Sequence, residues 1–183
     1  MKKIIFFGEL PPASINGVSI SNDVNISILE KKFEIIKIAE GRSDLDLTEN
    51  RGKFFRTIRD MCVFSMLCIS ARPSYFYASL PTSHLGGAKI LILVILYKIL
   101  SAGLPVLHIH RGDFVDFYAK KTYLAKLLLI LLQKLNSNFV VLSMSQQLSL
   151  RSMGLSRVDV LPNTVVPLAN PDDFSYVRGR FVF

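Results

Sequence analysis

The densest set of ionisable side chains in the sequence is His108-Ile109-His110-Arg111-Gly112-Asp113-Phe114, at the end of the apolar run 105–109. His108 and His110 share a face if this run is a strand, because strand side chains repeat every two residues. His110, at the strand tip, is the better placed for a polar role. His108, one repeat deeper, reads as a satisfied core histidine. The planar fork of Arg111 suits a phosphate or a carboxylate, or it pairs at the surface with Asp113 or Asp116. No cysteine lies nearby and these aspartates are the local carboxylates, so no metal is expected.

A second candidate is the loop 9–19, Glu9-Leu10-Pro11-Pro12-Ala13-Ser14-Ile15-Asn16-Gly17-Val18-Ser19. A helix that starts after a glycine offers amide donors to a phosphate, and Gly17 leaves room for close approach. Asn16-Gly17 is equally a place where positive φ costs little, so a plain turn explains the glycine as well. GxGxxG and Walker A patterns are absent, as is the GxSxG elbow of hydrolases. Glu40, after the second apolar run, matches the ribose-binding acid of a nucleotide-dependent oxidoreductase, but without the glycine fingerprint it is a single acidic residue. Ser143 and Ser145 read as helix caps.

The elements that must position these residues alternate in type. Residues 3–7 form an apolar run ending at Gly8, as expected of a parallel strand buried on both faces. A helix is expected over 19–30, a strand over 32–38, and a long helix over 47–70. That helix's apolar stripe should run through Phe54, Ile58, Met61, Cys62 and Ile69, with Ser65 as its polar member and Arg51, Arg56, Arg59 and Asp60 off it. Strands over 75–80, 105–109, 138–142 and 157–161 alternate with helices over 86–101, 118–135 and 146–153. Such alternation implies an α/β fold, a Rossmann-like, mostly parallel sheet with helices on both faces. In sheets of this kind ligands collect beyond the carboxyl ends of the strands. The loops after Phe7, Leu80, Ile109 and Leu142 therefore carry most functional weight.

Composition narrows the classes. The 183 residues are half hydrophobic and one fifth charged, which suits one domain with a substantial core. The net charge of +8 attracts phosphates, nucleic acid or an anionic membrane surface. Its lysines and arginines are scattered and form no block interleaved with exposed aromatics, so nucleic acid is not an expected partner. Cys62 and Cys68 lack CxxC spacing and read as two buried thiols of a reducing cytosol. The apolar stretches 90–100 and 124–132 are punctuated by Lys98 and Lys126 and are too short to span a bilayer. Both suit core or interfacial helices.

Taken in order, several segments resemble the N-terminal domain of retaining family-four glycosyltransferases of the GT-B fold. Pro11-Pro12 through Gly17-Val18-Ser19 is similar to that family's glycine loop, with Asn16 where a first glycine often stands. His108-Ile109-His110-Arg111-Gly112-Asp113-Phe114 is similar to its H-x-H-G-G-N-F segment, with Arg111 and Asp113 as departures. Val140 to Ser143, Met153-Gly154-Leu155 and Val160-Leu161-Pro162-Asn163 are similar to its serine-containing strand, the helix after it and the crossing into the second domain.

The resemblance implies transfer of a sugar from a nucleotide-sugar to a glycan or lipid-linked acceptor in cell-surface polysaccharide synthesis. It implies a cytoplasmic location, peripheral on the inner face of the plasma membrane. His110 would lie near the transferred sugar as the catalytic candidate. Asn16, Gly17, Val18, Ser19, Arg111, Gly112, Asp113 and Asn163 would face donor or acceptor. The nucleotide-sugar is a substrate and no cofactor is implied. Residues 1–166 would form the acceptor-side domain, and 167–183 a linker and the first strand of a C-terminal domain beyond Phe183. Without that domain, separately encoded or otherwise, the chain is expected not to turn over. The alternative is a non-catalytic module that recruits or completes a separate partner.

Overall fold

The computed structural model of this chain describes residues 1–40, 50–115, 118 and 123–162. Six strands, β1 (Lys3–Gly8), β2 (Glu34–Ala39), β3 (Tyr75–Ser79), β4 (Leu104–Ile109), β5 (Asn138–Val141) and β6 (Val158–Val160), make one sheet. Its order is β2-β1-β3-β4-β5-β6 and every pairing is parallel. Helices α1 (Gly17–Leu29), α2 (Asn50–Ala71), α3 (His84–Leu100), α4 (Tyr123–Lys134) and α5 (Met144–Ser152) make the connections. The fold is α/β and Rossmann-like, and the sheet is wholly parallel among the described residues.

The pleat divides β1 between two cores. Ile5 and Phe7 face one side with Phe76, Ala78, Leu107, Ile109, Phe139 and Val141, beneath α2, α3, α4 and α5. Ile4 and Phe6 face the other with Tyr77, beneath Ile26 of α1. Among the described residues, four helices thus cover one face and one covers the other. Because the chain leaves β1 towards β2 on one side and then crosses back to β3 on the other, a switch point falls between β1 and β3. At such a point the loops diverge and leave a crevice at the carboxyl ends of the strands.

One expectation about the helix layer fails. On α2, Ile58, Cys62 and Ile69 are exposed, and the buried face instead carries Asp60, Phe64 and Cys68, flanked by Met61 and Leu67. Apolar residues occur nearly all round this helix, so two stripes overlap in the sequence. Packing selects between them: Phe64 meets Phe76 of β3 edge-on with ring centroids 4.9 Å apart. Cys62 is therefore not a buried thiol, whereas Cys68 is. The helix begins, as described, at Asn50, with 41–49 outside the described residues, as are Asp116, Asn163 and the expected linker 167–183.

Gly154 ends α5 with φ of 93°, the left-handed conformation glycine adopts at helix C-termini. Gly103 serves differently. A side chain there would overlap the Tyr97 hydroxyl and the Ser74 carbonyl, so the glycine lets the start of β4 lie against α3. No described helix is long and apolar enough to cross a membrane.

Candidate functional site

A cavity of about 560 Å³ opens at the switch point, lined by Glu9, Asn16, Gly17, Val18 and Glu40 on one side. Ser79 to Ser83, Gly86, Lys89, His110 and Arg111 line the other. This size is ordinary for a small-molecule site. The ends of β1, β2, β3 and β4 and the starts of α1 and α3 all contribute to it.

The wall from the first loop is a hydrogen-bonded unit. Asn16 caps α1, its Oδ1 accepting from the Val18 and Ser19 amides at 2.9 and 3.0 Å, while Ser19 Oγ accepts from the Asn16 amide at 2.9 Å. The Asn16 amide group in turn donates to Glu9 Oε2 at 2.6 Å, and Ser14 Oγ donates to the same oxygen at 3.2 Å. Asn22, fully buried, donates to the Glu9 carbonyl at 3.0 Å and to Ser79 Oγ at 3.2 Å, tying loop to strand. Gly17 is the first helical residue and does not take a positive φ; a Cβ there would meet nothing within 4 Å. The turn explanation for Gly17 therefore fails, because Asn16 makes the turn in extended conformation, φ −150°. Open space above the Gly17 backbone is what remains.

The opposite wall starts α3. Ser83 caps it, accepting from the Gly86 amide at 3.2 Å. One and a half turns on, Lys89 Nζ lies 4.6 Å from the Phe7 ring centroid and pairs with Glu40 at 2.9 Å. Its side chain is 16% exposed, so Lys89 is a partly desolvated cation held by a carboxylate and an aromatic face. The Glu40 carboxylate is engaged there.

The floor is the end of β4. His108 is buried and bonded at Nδ1 to the Tyr77 hydroxyl, and its ring lies 3.9 Å, centroid to centroid, from that of His110. His108 Nε2 and both nitrogens of His110 are shielded from solvent and have no hydrogen-bond partner among the described residues. His108 is thus half satisfied, contrary to the expectation of a satisfied core histidine. Burial, then the neighbouring His110, pushes His108 down to about 3. Burial pushes His110 down to about 4, against the pull of Glu9 in the other direction. Both imidazoles are neutral at physiological pH and offer one donor and one acceptor each.

Of the residues expected at the site, Asn16, Gly17, Val18, His110 and Arg111 line the cavity. Ser19 is fully buried behind it. Arg111 forms a two-point pair with Asp113, at 2.9 and 2.7 Å, directed to the exterior, and Gly112 is exposed beside it. Its backbone is fixed by Gln146 of α5, whose Nε2 donates to the Arg111 carbonyl at 2.9 Å. The loop after β5 adds nothing to the lining; Ser143 caps α5 by accepting from the Gln146 amide at 3.3 Å.

Ser79, Thr82, Ser83 and Lys89 were not foreseen. Pro81-Thr82-Ser83 before an apolar run is an N-terminal helix signal from which the cap could have been found, although not its neighbour across the cleft. No three His, Cys, Asp or Glu residues gather as a metal site among the described residues.

The cleft holds two carboxylates, Glu9 and Glu40, and two cations, Lys89 and Arg111, and each cation has an acidic partner. Around them stand hydroxyls, an amide and a neutral imidazole. This arrangement can exchange hydrogen bonds with several hydroxyl groups of one ligand. The sequence matches no protein-family model and no curated protein.

Proposed function

We propose that the chain is the acceptor-side domain of a glycosyltransferase, holding a glycan or lipid-linked acceptor in the switch-point cleft. A second domain supplies most of the grip on the nucleotide-sugar. The observation that carries this reading is the composition of the cleft wall: Ser79, Thr82, Ser83, Asn16, His110 and two internally paired carboxylates converge on one cavity. Sugars present alternating hydroxyl donors and acceptors, which such groups match, and carboxylates are effective acceptors for them. The order of segments along the chain supports the same assignment through its resemblance to the GT-B family. In this reading His110 contacts the sugar or the attacking hydroxyl through hydrogen bonding.

The test is a titration of the isotope-labelled chain with mono- and disaccharides, nucleotide-sugars and pyrophosphate, followed by NMR. Saccharides should shift the amides of Ser79, Ser83 and His110. Pyrophosphate binding there, with no saccharide response at millimolar concentration, would overturn the reading. Mixing nucleotide-sugar and saccharide with the chain alone should yield no transfer.

The second reading, a module that recruits or completes a separate partner, is favoured by the outer helix layer. Met66, Ile69 and Ile99 are 70%, 60% and 73% exposed on α2 and α3. An anionic membrane surface is the partner suited to these side chains and to the positive net charge. Flotation with liposomes should recover the chain with anionic and not with neutral vesicles; complete recovery in the soluble fraction with both defeats the membrane role.

A further inference from the structure

Behind His110 a chain of polar groups runs along the α1 face of the sheet. Asn25 Nδ2 of α1 lies 3.5 Å from the Tyr77 hydroxyl, which bonds His108 Nδ1, and the His108 ring stacks under His110 with a 36° tilt. Tyr77 is fixed in turn: Phe6 stacks on it at 5.6 Å, and its ring meets that of His108 edge-on at 86°. An amide nitrogen only donates, so Tyr77 accepts from Asn25 and keeps its own hydrogen available for His108 Nδ1. With Nδ1 as the acceptor, the hydrogen of neutral His108 would sit on Nε2.

An apolar residue at position 108 would fill the same space without stranding the buried Nε2, a polar atom that is costly to leave unsatisfied. Such exceptions call for a reason beyond packing. The stacked partner supplies one. His110 has no hydrogen bond of its own among the described residues, so its ring is held by His108 and by the cleft wall. We infer that Tyr77 and His108 are positioning residues for His110: the Tyr77 hydroxyl fixes His108 as a single tautomer, and His108 holds the His110 imidazole in place against the cleft wall, its shielded nitrogens committed to no described protein partner. The identity of that ligand rests on the reading above; the tautomer and the ring placement do not.

The experiment is long-range ¹H–¹⁵N NMR on the full chain with labelled histidine. In the wild type His108 should show the Nε2–H tautomer alone. Tyr77→Phe removes one oxygen and should convert His108 to a mixture, move the His110 ring signals and lower the affinity for any saccharide that shifts His110. A mixed or Nδ1–H tautomer in the wild type overturns the inference, as do His110 signals unmoved in Tyr77→Phe. If that variant does not fold, Asn25→Ala, on the exposed side of Tyr77, is read by the same criteria. A fixed tautomer released by Tyr77→Phe with no saccharide response supports the positioning role and removes the sugar reading. Saccharide binding with a mixed wild-type tautomer does the reverse.

Discussion

The two neutral histidines under the cleft make stability depend on pH in a direction and window that can be worked out. Their ordinary value is 6.5, and in the folded chain His108 lies at about 3 and His110 at about 4. The folded values are the lower ones, so below pH 6.5 the unfolded chain binds protons that the folded chain refuses. Stability is complete above that pH and falls as the solution is acidified, until the folded histidines themselves titrate. Each group contributes a slope of about 1.4 kcal/mol per pH unit once the unfolded state is fully protonated, and the two together about 2.7. Because the slope develops gradually around the unfolded value, integration from about pH 7 to 5.5 gives a loss of about 2.5 kcal/mol.

Stopping at pH 5.5 stays above the range in which ordinary carboxylates titrate, so the loss belongs to imidazole. It is a readable share of the roughly 5–15 kcal/mol that holds a domain together. Urea unfolding at several pH values across that interval gives the curve, and the same series on His110→Gln should lose about half the pH dependence. Equal stability at both ends would refute the burial argument. So would a pH dependence that survives intact in His110→Gln, or assigned His108 or His110 proton signals that titrate near 6.5 in the folded chain.

Three substitutions test the walls of the cleft and the packing behind them. Asn16→Ala removes both capping bonds of α1 and the amide that holds Glu9, and should cost about 1 kcal/mol in urea unfolding. Gly17→Ala places a methyl in open space at the first helical position, so stability should hold or rise by up to about 1 kcal/mol, while ligand that approaches the backbone closely is weakened in the NMR titration. Gly103→Ala drives a methyl into the Tyr97 hydroxyl and the Ser74 carbonyl, and should destabilise the fold by about 1–3 kcal/mol with a matching fall in Tm.

The fold was legible because each strand is a short apolar run bounded by glycine, proline or a capping residue. The parallel order follows from helical connections between them. The α2 stripe was not legible, since Ile58 and Ile69 are as apolar as Phe64 and Leu67, and only the neighbours in space decide which side is buried. Within the site, the histidine pair was visible from its period-two spacing. The Tyr77 partner of His108 was not: 31 positions separate them, and strand order alone makes β3 and β4 adjacent. Lys89 and Glu40 meet for a similar reason, across 49 positions.

The start of α1 gives the larger lesson, because the helix was legible in the sequence while the engagement of its amides was not. A helix beginning at a glycine offers amides to an anion only while those amides are unoccupied. Here Asn16 Oδ1 already accepts from Val18 and Ser19, and the Glu9 carboxylate is drawn in behind the same asparagine. A second negative group at this spot would face Glu9 at close range with the Val18 and Ser19 amides already engaged. Lys89 and Arg111 offer no relief, as both carry acidic partners. In the proposed reading, then, the diphosphate of a nucleotide-sugar draws its compensating charge from the opposite domain, and this cleft discriminates among hydroxyls. Asn16→Asp, which keeps a capping oxygen and adds charge beside Glu9, separates the two contributions: a site for hydroxyls should retain saccharide binding within a few fold.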